Sequence, residues 1–309
     1  MRGLAAGVTS PDEIRRQVAD QAVAGADWIK LYAGLSPELL HAGIDAAHRL
    51  GLPAIAHLDR IAWPDALVMG LDSIVHLMPI SPDLLDEQAR KAWRSGARPG
   101  TFAFFEWWEH FDPDGPGADR LIESFETHRP VFDATLVAFH AVFIQDLDNV
   151  YKEDSRRLAH PRLLGNWEDW FTFAVGWQLE DFQRAQAVWT KVQRMARRLY
   201  ATNARLTIGA DMGNPWIAPG ISMHREMALL TEAGVPIKRV LAAATVDAAE
   251  ALGAADRLGW IKQGYEADLV VLDANPFDDI ANTRAIHAVL LDGRWLDAAE
   301  LSNLSKEGE

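Results

Sequence analysis

From Pro11 to Gly25 apolar residues recur at helical spacing (Ile14, Val18, Ala22). The short apolar stretch ADWIKLY follows, then a loop, then a second helical pattern from Pro37 to Leu50. Next come PAIAH (53–57), a short helix around Pro64 to Met69, and SIVHL (73–77). Strands alternating with helices at this spacing predict a parallel sheet built from crossover units. VFDATLVAF (131–139) and RLTIGAD (205–211) read as two further strands of the same kind, followed by helices over 222–234 and 236–253. Five strands are thus expected, where a closed (β/α)8 barrel has eight.

After Gly253 the pattern changes to EADLVVLDANP and IHAVLLDGRWL, apolar runs broken by Asn-Pro and Asp-Gly with no helix between them, so a small β-rich appendage is expected. Asp292-Gly293 is a hairpin signal within it. Two long excursions, roughly 80–130 and 140–203, interrupt the alternation and carry many tryptophans. In the second, Trp170, Trp177 and Trp189 sit in periodic helical sequence and read as core. The first, TFAFFEWWEHF, has aromatics on every face and Pro/Gly-rich flanks, and is open between core and a lid over a substrate pocket.

The 44 acidic and 30 basic residues give a net charge of −14, which repels phosphate backbones and anionic membrane surfaces. Nucleic acid and membrane are therefore excluded as expected partners, and a small-molecule substrate is expected instead. There is no cysteine, so a metal would be held by His, carboxylate or modified Lys, donors that suit zinc or a similar divalent ion. No apolar run is long enough to span a bilayer, and a cytoplasmic location is the expectation.

Lys30, His57, His76 and Asp211 stand at the C-terminal ends of apolar strands, the face on which parallel barrels assemble active sites. Each has a plain alternative. A lysine in ADWIKLY can snorkel to solvent, a lone histidine can be a satisfied core residue, and Asp211 can cap a turn. Jointly they carry more weight, because four separate strands deliver metal-competent or acid/base-competent groups at one end.

GADWIKLY, AIAHLDRIAWPDALVMGLDSIVHL, IGADMGNPW, GISMHREMALLTEAGV and LAAATVDAAEALGAADRLGWIKQGYEADLVVLDANPFDDI, in this order, resemble the imidazolonepropionase-like branch of the amidohydrolase superfamily. The resemblance runs from about residue 10 to 297 and is loose over roughly 85–203. It implies an α/β fold: a partial (β/α)8 barrel supplying about strands 4–8 over residues 1–255, and a C-terminal β-sandwich remnant over 256–309. By resemblance Lys30 is a carboxylated lysine bridging two metals, and His57 and His76 complete the coordination of one. Asp211 binds the other and shuttles a proton from the bridging water to the leaving group. Tyr32 and His224 are further candidates for substrate contact, His224 fitting equally well as a helix-surface residue.

The family's His-x-His pair on its first barrel strand has no counterpart, since no two of the ten histidines are separated by two positions. Three more βα units would add about 90 residues ahead of residue 10. Without them the outer strands are exposed edges, which an N-terminal half or a second protomer could cover. Two functions follow as expectations. One is a metal-dependent hydrolase acting on a C–N bond of a cyclic amide, amidine or small dipeptide-like substrate, with weakened metal binding and little activity in this chain alone. The other is a catalytically impaired remnant that binds a partner through its Trp-rich excursions. A serine hydrolase finds no support, because no G-x-S-x-G occurs.

Overall fold

Five short strands form one parallel sheet: β1 (Ile29–Leu31), β2 (Ala54–Ala56), β3 (Ser73–Val75), β4 (Val131–Asp133) and β5 (Arg205–Thr207), paired in sequential order. The protein is seen here in a computed structural model that describes residues 6–169, 172–297 and 299–301. The register aligns Leu31, Ala56, Ile74, Phe132 and Leu206 across all five strands. These residues point to one face and are at most 4% exposed. Alternation sends Lys30, Ile55, Val75, Asp133 and Thr207 to the other face, where each keeps some exposure. A parallel sheet is ordinarily covered on both sides. Here one side is packed and the other is partly open, and the open side carries the polar residues.

Local signals set the helices behind the packed face. Ser10 and Ser36 cap the helices Pro11–Val23 and Pro37–Arg49, each accepting a backbone N–H while proline occupies the first turn. Ile14, Val18, Leu40 and Ile44 of these helices are buried. Trp63 stacks on Phe125 and meets Phe132, placing two more helices, Trp63–Val68 and Pro116–His128, against β4.

Three expectations are corrected. VFDATLVAF is not one strand: β4 ends at Asp133, Thr135 turns left-handed (φ 45°), and Leu136–Phe143 is a helix. A short apolar run buried on all sides has no period to separate strand from helix. The stretch 236–253 is two helices, Ile237–Ala243 and Val246–Ala251, parted where the Thr245 hydroxyl donates back to the Leu241 carbonyl. The C-terminal runs form the expected antiparallel sheet, β6 (Leu269–Leu272), β7 (Ile286–Leu291) and β8 (Arg294–Asp297). Asp292 and Gly293 are both left-handed, as a two-residue hairpin requires, but a 3₁₀ turn, Ile280–Arg284, lies between β6 and β7 where no helix was expected.

The first excursion is core rather than lid: Phe105, Trp107, Trp108 and Phe111 are no more than 1% exposed. In the second, Trp177 is buried but sits in the turn ahead of the helix Leu179–Tyr200, and Trp189 on that helix is half-buried. Trp170 lies outside the described residues. Charge pairs clamp the two excursions together. Arg98 donates to Glu106 at 2.5 Å and to Asp181 at 2.6 Å, and Arg184 grips Glu109 with two bonds of 2.8 Å. Lys191 donates to the carbonyls of Trp108, Glu109 and Phe111, closing the end of the helix Ala103–His110. Among the described residues no helix is long and apolar enough to cross a membrane.

Removing the Arg98 charge would take the hydrogen-bonded cation from the buried carboxylates of Glu106 and Asp181, leaving them with Arg184 at 3.7 and 3.6 Å. Arg98→Met is therefore expected to cost about 2 kcal/mol or more, after allowance for the partly exposed guanidinium. A urea denaturation midpoint equal to that of the parent would contradict the clamp.

Candidate active site

His57 follows β2 directly, and its backbone N–H donates to the Leu31 carbonyl at 3.1 Å, so it stays in register and takes the open face. His76 follows β3, and simple alternation would send its side chain into the helical layer. Its left-handed backbone (φ 70°) breaks the alternation, while its N–H is held by the Asp133 carbonyl at 2.8 Å. The two imidazole centroids are 4.7 Å apart and nearly edge to face. Asp211, beyond β5, is also left-handed (φ 51°) and is held by the Asn214 side-chain amide, which donates to its carbonyl and carboxylate. This places Asp211 Oδ2 3.9 Å from His76 Nε2.

Lys30 lies on the same face, its Nζ 5.8 Å from the Tyr32 ring centre, and the Tyr32 ring is 5.0 Å from that of His57. Burial, with the Lys30 charge assisting, lowers the pKa of His57. Burial together with His57 and Lys30 holds His76 well below the ordinary histidine value. Burial and the Asp211 charge push the Tyr32 phenol up. His224 Nδ1 lies 2.9 Å from Thr283 Oγ1 in the 280–284 turn, and burial, with the Arg284 charge assisting, lowers its pKa.

Whether these residues suit a metal is a question of donors. Two neutral imidazoles are ligands in their binding form, and His57 Nδ1 is buried with no hydrogen-bond partner among the described residues. Also among the described residues, no three His, Asp or Glu side chains are grouped closely enough to hold an ion by themselves. The set is completed only by Lys30, whose ammonium would repel a cation and whose carbamate would bind one. With that change the donors fit.

Three residues beside the site escaped the sequence reading. Asp133 stands on the open face of β4, wedged so tightly against Gly209 that a side chain there would collide with its carboxylate. Thr135 places its hydroxyl 2.7 Å from His76 Nδ1. Glu226, in the helix Ile221–Glu232, is fully buried and accepts the N–H groups of Leu136 at 2.9 Å and Val137 at 2.7 Å. Burial raises Asp133 to about 6, and burial reinforced by Asp133 raises Glu226 to about 8. A carboxylate inside SMHREMALL was a visible signal, since an acid that shares a helix face with Met223, Leu229 and Leu230 calls for a partner when it is buried.

The Amidohydrolase family profile matches residues 132–296, over half of the chain. Among solved structures, a bottromycin amidohydrolase is similar at 26% identity and a TM-score of 0.67, over 98% of this chain and 62% of its own. A Xaa-Pro dipeptidase with methionine in its active site is similar at 21% identity and a TM-score of 0.60, over 94% of this chain and 59% of its own. A prolidase complexed with N-methylphosphonate-L-proline is similar at 18% identity and a TM-score of 0.60, over 95% of this chain and 60% of its own. The last two likenesses concern the fold. The chain spans about three-fifths of the length of each of these proteins. No protein of curated function matches it.

Glu226 has an ordinary value near 4.5 and a folded value of about 8, so the unfolded chain releases this proton first as pH rises. Its contribution to stability is complete below 4.5 and is lost as pH rises to about 8. His57 and His76, with lowered values, act in the opposite sense and disfavour the fold as pH falls below 6.5. Glu226→Gln should remove part of the alkaline loss, giving a flatter plot of unfolding free energy between about pH 6.5 and about pH 8, above the range of the two histidines. A plot parallel to that of the parent would show that Glu226 ionises normally in the fold.

Proposed function

This chain belongs to the amidohydrolase family, and from that premise we propose that it hydrolyses the C–N bond of an amide with the help of a divalent metal, zinc by its donor set, held on the open face of the sheet. The observation that carries the reading is the meeting of His57, His76 and Asp211 from three separate strand ends, beside Lys30 and outside the packed core. A bound divalent cation supplies a nucleophile at neutral pH and polarises the scissile carbonyl.

The residues of the chain do the rest. His57 and His76 stay neutral near pH 7, so their lone pairs remain available. Lys30 serves as its carbamate, which turns a repelling charge into an anionic bidentate ligand. Asp211, partly solvated and oriented by Asn214, takes the proton of the attacking water and delivers it to the departing nitrogen. Tyr32 stays protonated because its pKa is raised, and it can donate to the substrate carbonyl. Cyclic amides, amidines and small dipeptide-like compounds are the substrate classes that the family resemblance puts forward. The likeness to a Xaa-Pro dipeptidase and a prolidase supports trying Xaa-Pro dipeptides.

The purified chain, supplied with bicarbonate, is expected to take up zinc and to lose most of that uptake in His76→Ala. With any amide it cleaves, Asp211→Asn should lower kcat about 100- to 10,000-fold, the usual loss for a proton-transfer group. Metal analysis paired with hydrolysis of lactam, imidazolone and Xaa-Pro substrates reads both. A chain that takes up no divalent ion, or cleavage that survives Asp211→Asn, would contradict this function.

A further inference from the structure

His76 has a second ring neighbour besides His57: the buried Phe139 meets its imidazole edge to face, at 6.1 Å between centres and 74° between planes. Phe139 in turn meets Phe104 at 5.4 Å and 88°, and Phe104 meets Phe173 at 6.2 Å and 68°. An arc of rings therefore runs from the polar site to both excursions. Phe139 comes from the helix Leu136–Phe143, Phe104 from the first excursion and Phe173 from the second.

The outer two rings differ from the core around them. Phe105, Trp107 and Trp108, on the same helix as Phe104, are fully enclosed, whereas Phe104 and Phe173 are only half-buried. Uncovered aromatic surface is unfavourable in water, and here it joins a chain of contacts that begins on a site residue. The backbone beside it is held in place. Thr101 donates its hydroxyl to the Phe173 carbonyl at 2.5 Å, and Thr172 donates to Gln145 Oε1 at 3.1 Å. Ligand sites commonly combine such a preformed apolar wall with a few polar groups.

We propose that Phe104 and Phe173, backed by Phe139, are specificity-determining residues that select amides carrying an aromatic group beside the scissile carbonyl. The carbonyl side follows because the arc begins on His76, one of the residues proposed to hold the ion that polarises it. The use of the wall in hydrolysis rests on the function proposed above; binding of an aromatic amide to it needs no metal.

The test is a ligand-observed NMR titration of the full, metal-free chain with benzamide and with acetamide, which share the amide and differ in the ring. The parent should bind benzamide about 10-fold or more tightly. Phe104→Leu and Phe173→Leu, which keep an apolar side chain and remove the ring, should each weaken benzamide about 3- to 10-fold and leave acetamide within about twofold. A purely structural role would weaken both ligands together or neither, and that result overturns the inference. Benzamide bound no more tightly than acetamide by the parent does the same. Should neither variant fold, the parent decides: in a chain protonated only at phenylalanine, saturation of those rings should pass to the benzamide ring, and no transfer overturns the wall.

Hydrolysis by the zinc-loaded chain separates this inference from the function it rests on. Phe-Pro should be cleaved with a kcat/KM about 10-fold above that of Ala-Pro, and Phe104→Leu should bring the two closer. Cleavage of both dipeptides at equal rates, beside equal binding of the two amides, would sink the wall and keep the hydrolase. Selective binding of benzamide by a chain that cleaves neither dipeptide would support the wall and count against the hydrolase.

Discussion

Side chains on a strand alternate between two faces, and in this protein the alternation divides structure from chemistry. Burying Leu31, Ala56, Ile74, Phe132 and Leu206 against helices sends Lys30, His57, Asp133 and Thr207 to the opposite side. A slip of one residue in β1 or β4 would put Lys30 or Asp133 into the helical layer and turn apolar side chains to the open face. The apolar set therefore fixes where the polar set can be. Only His76 departs from this rule, and it does so through a left-handed backbone held by hydrogen bonds to β4 and its turn.

Strand ends, not strands, carry the strain. His76, Thr135 and Asp211 all have positive φ without being glycine, and all three border the same few ångströms of space. Residues in this conformation persist where surrounding contacts over-determine them, and such contacts are present: Asp133 for His76, Glu226 for the turn at Thr135, Asn214 for Asp211. The buried acids are thus part of the architecture of the face. Asp133 and Glu226 are held with raised pKa values beside one another, a costly arrangement that an apolar pair would avoid.

Much of this was legible in the sequence. The five strand segments, the antiparallel tail and the Asp292-Gly293 hairpin follow from period and turn chemistry, which are local properties. Lys30, His57, His76 and Asp211 could be singled out because each ends an apolar run, and strand ends on one side of a parallel sheet are neighbours whatever the loops do. What lay hidden depends on contacts between distant segments. A glutamate some ninety positions away caps the helix Leu136–Phe143, and nothing in VFDATLVAF announces that. That His224 Nδ1 meets Thr283, nearly sixty positions on, was equally hidden. The aromatics of 102–111 left core and lid open because every face was apolar, and only the enclosure of Phe105, Trp107, Trp108 and Phe111 decides for core.

On the proposed function, the open face of the sheet holds a metal through His57, His76 and Lys30, with Asp211 beside it. Anomalous diffraction from crystals of the chain grown with zinc tests this most directly. A zinc peak is expected at about 2.0–2.1 Å from a ring nitrogen of each histidine, His76 binding through Nε2, since Thr135 engages its Nδ1. Zinc found only at exposed histidines such as His48 or His287, with the space between His57 and His76 empty of it, would contradict the account.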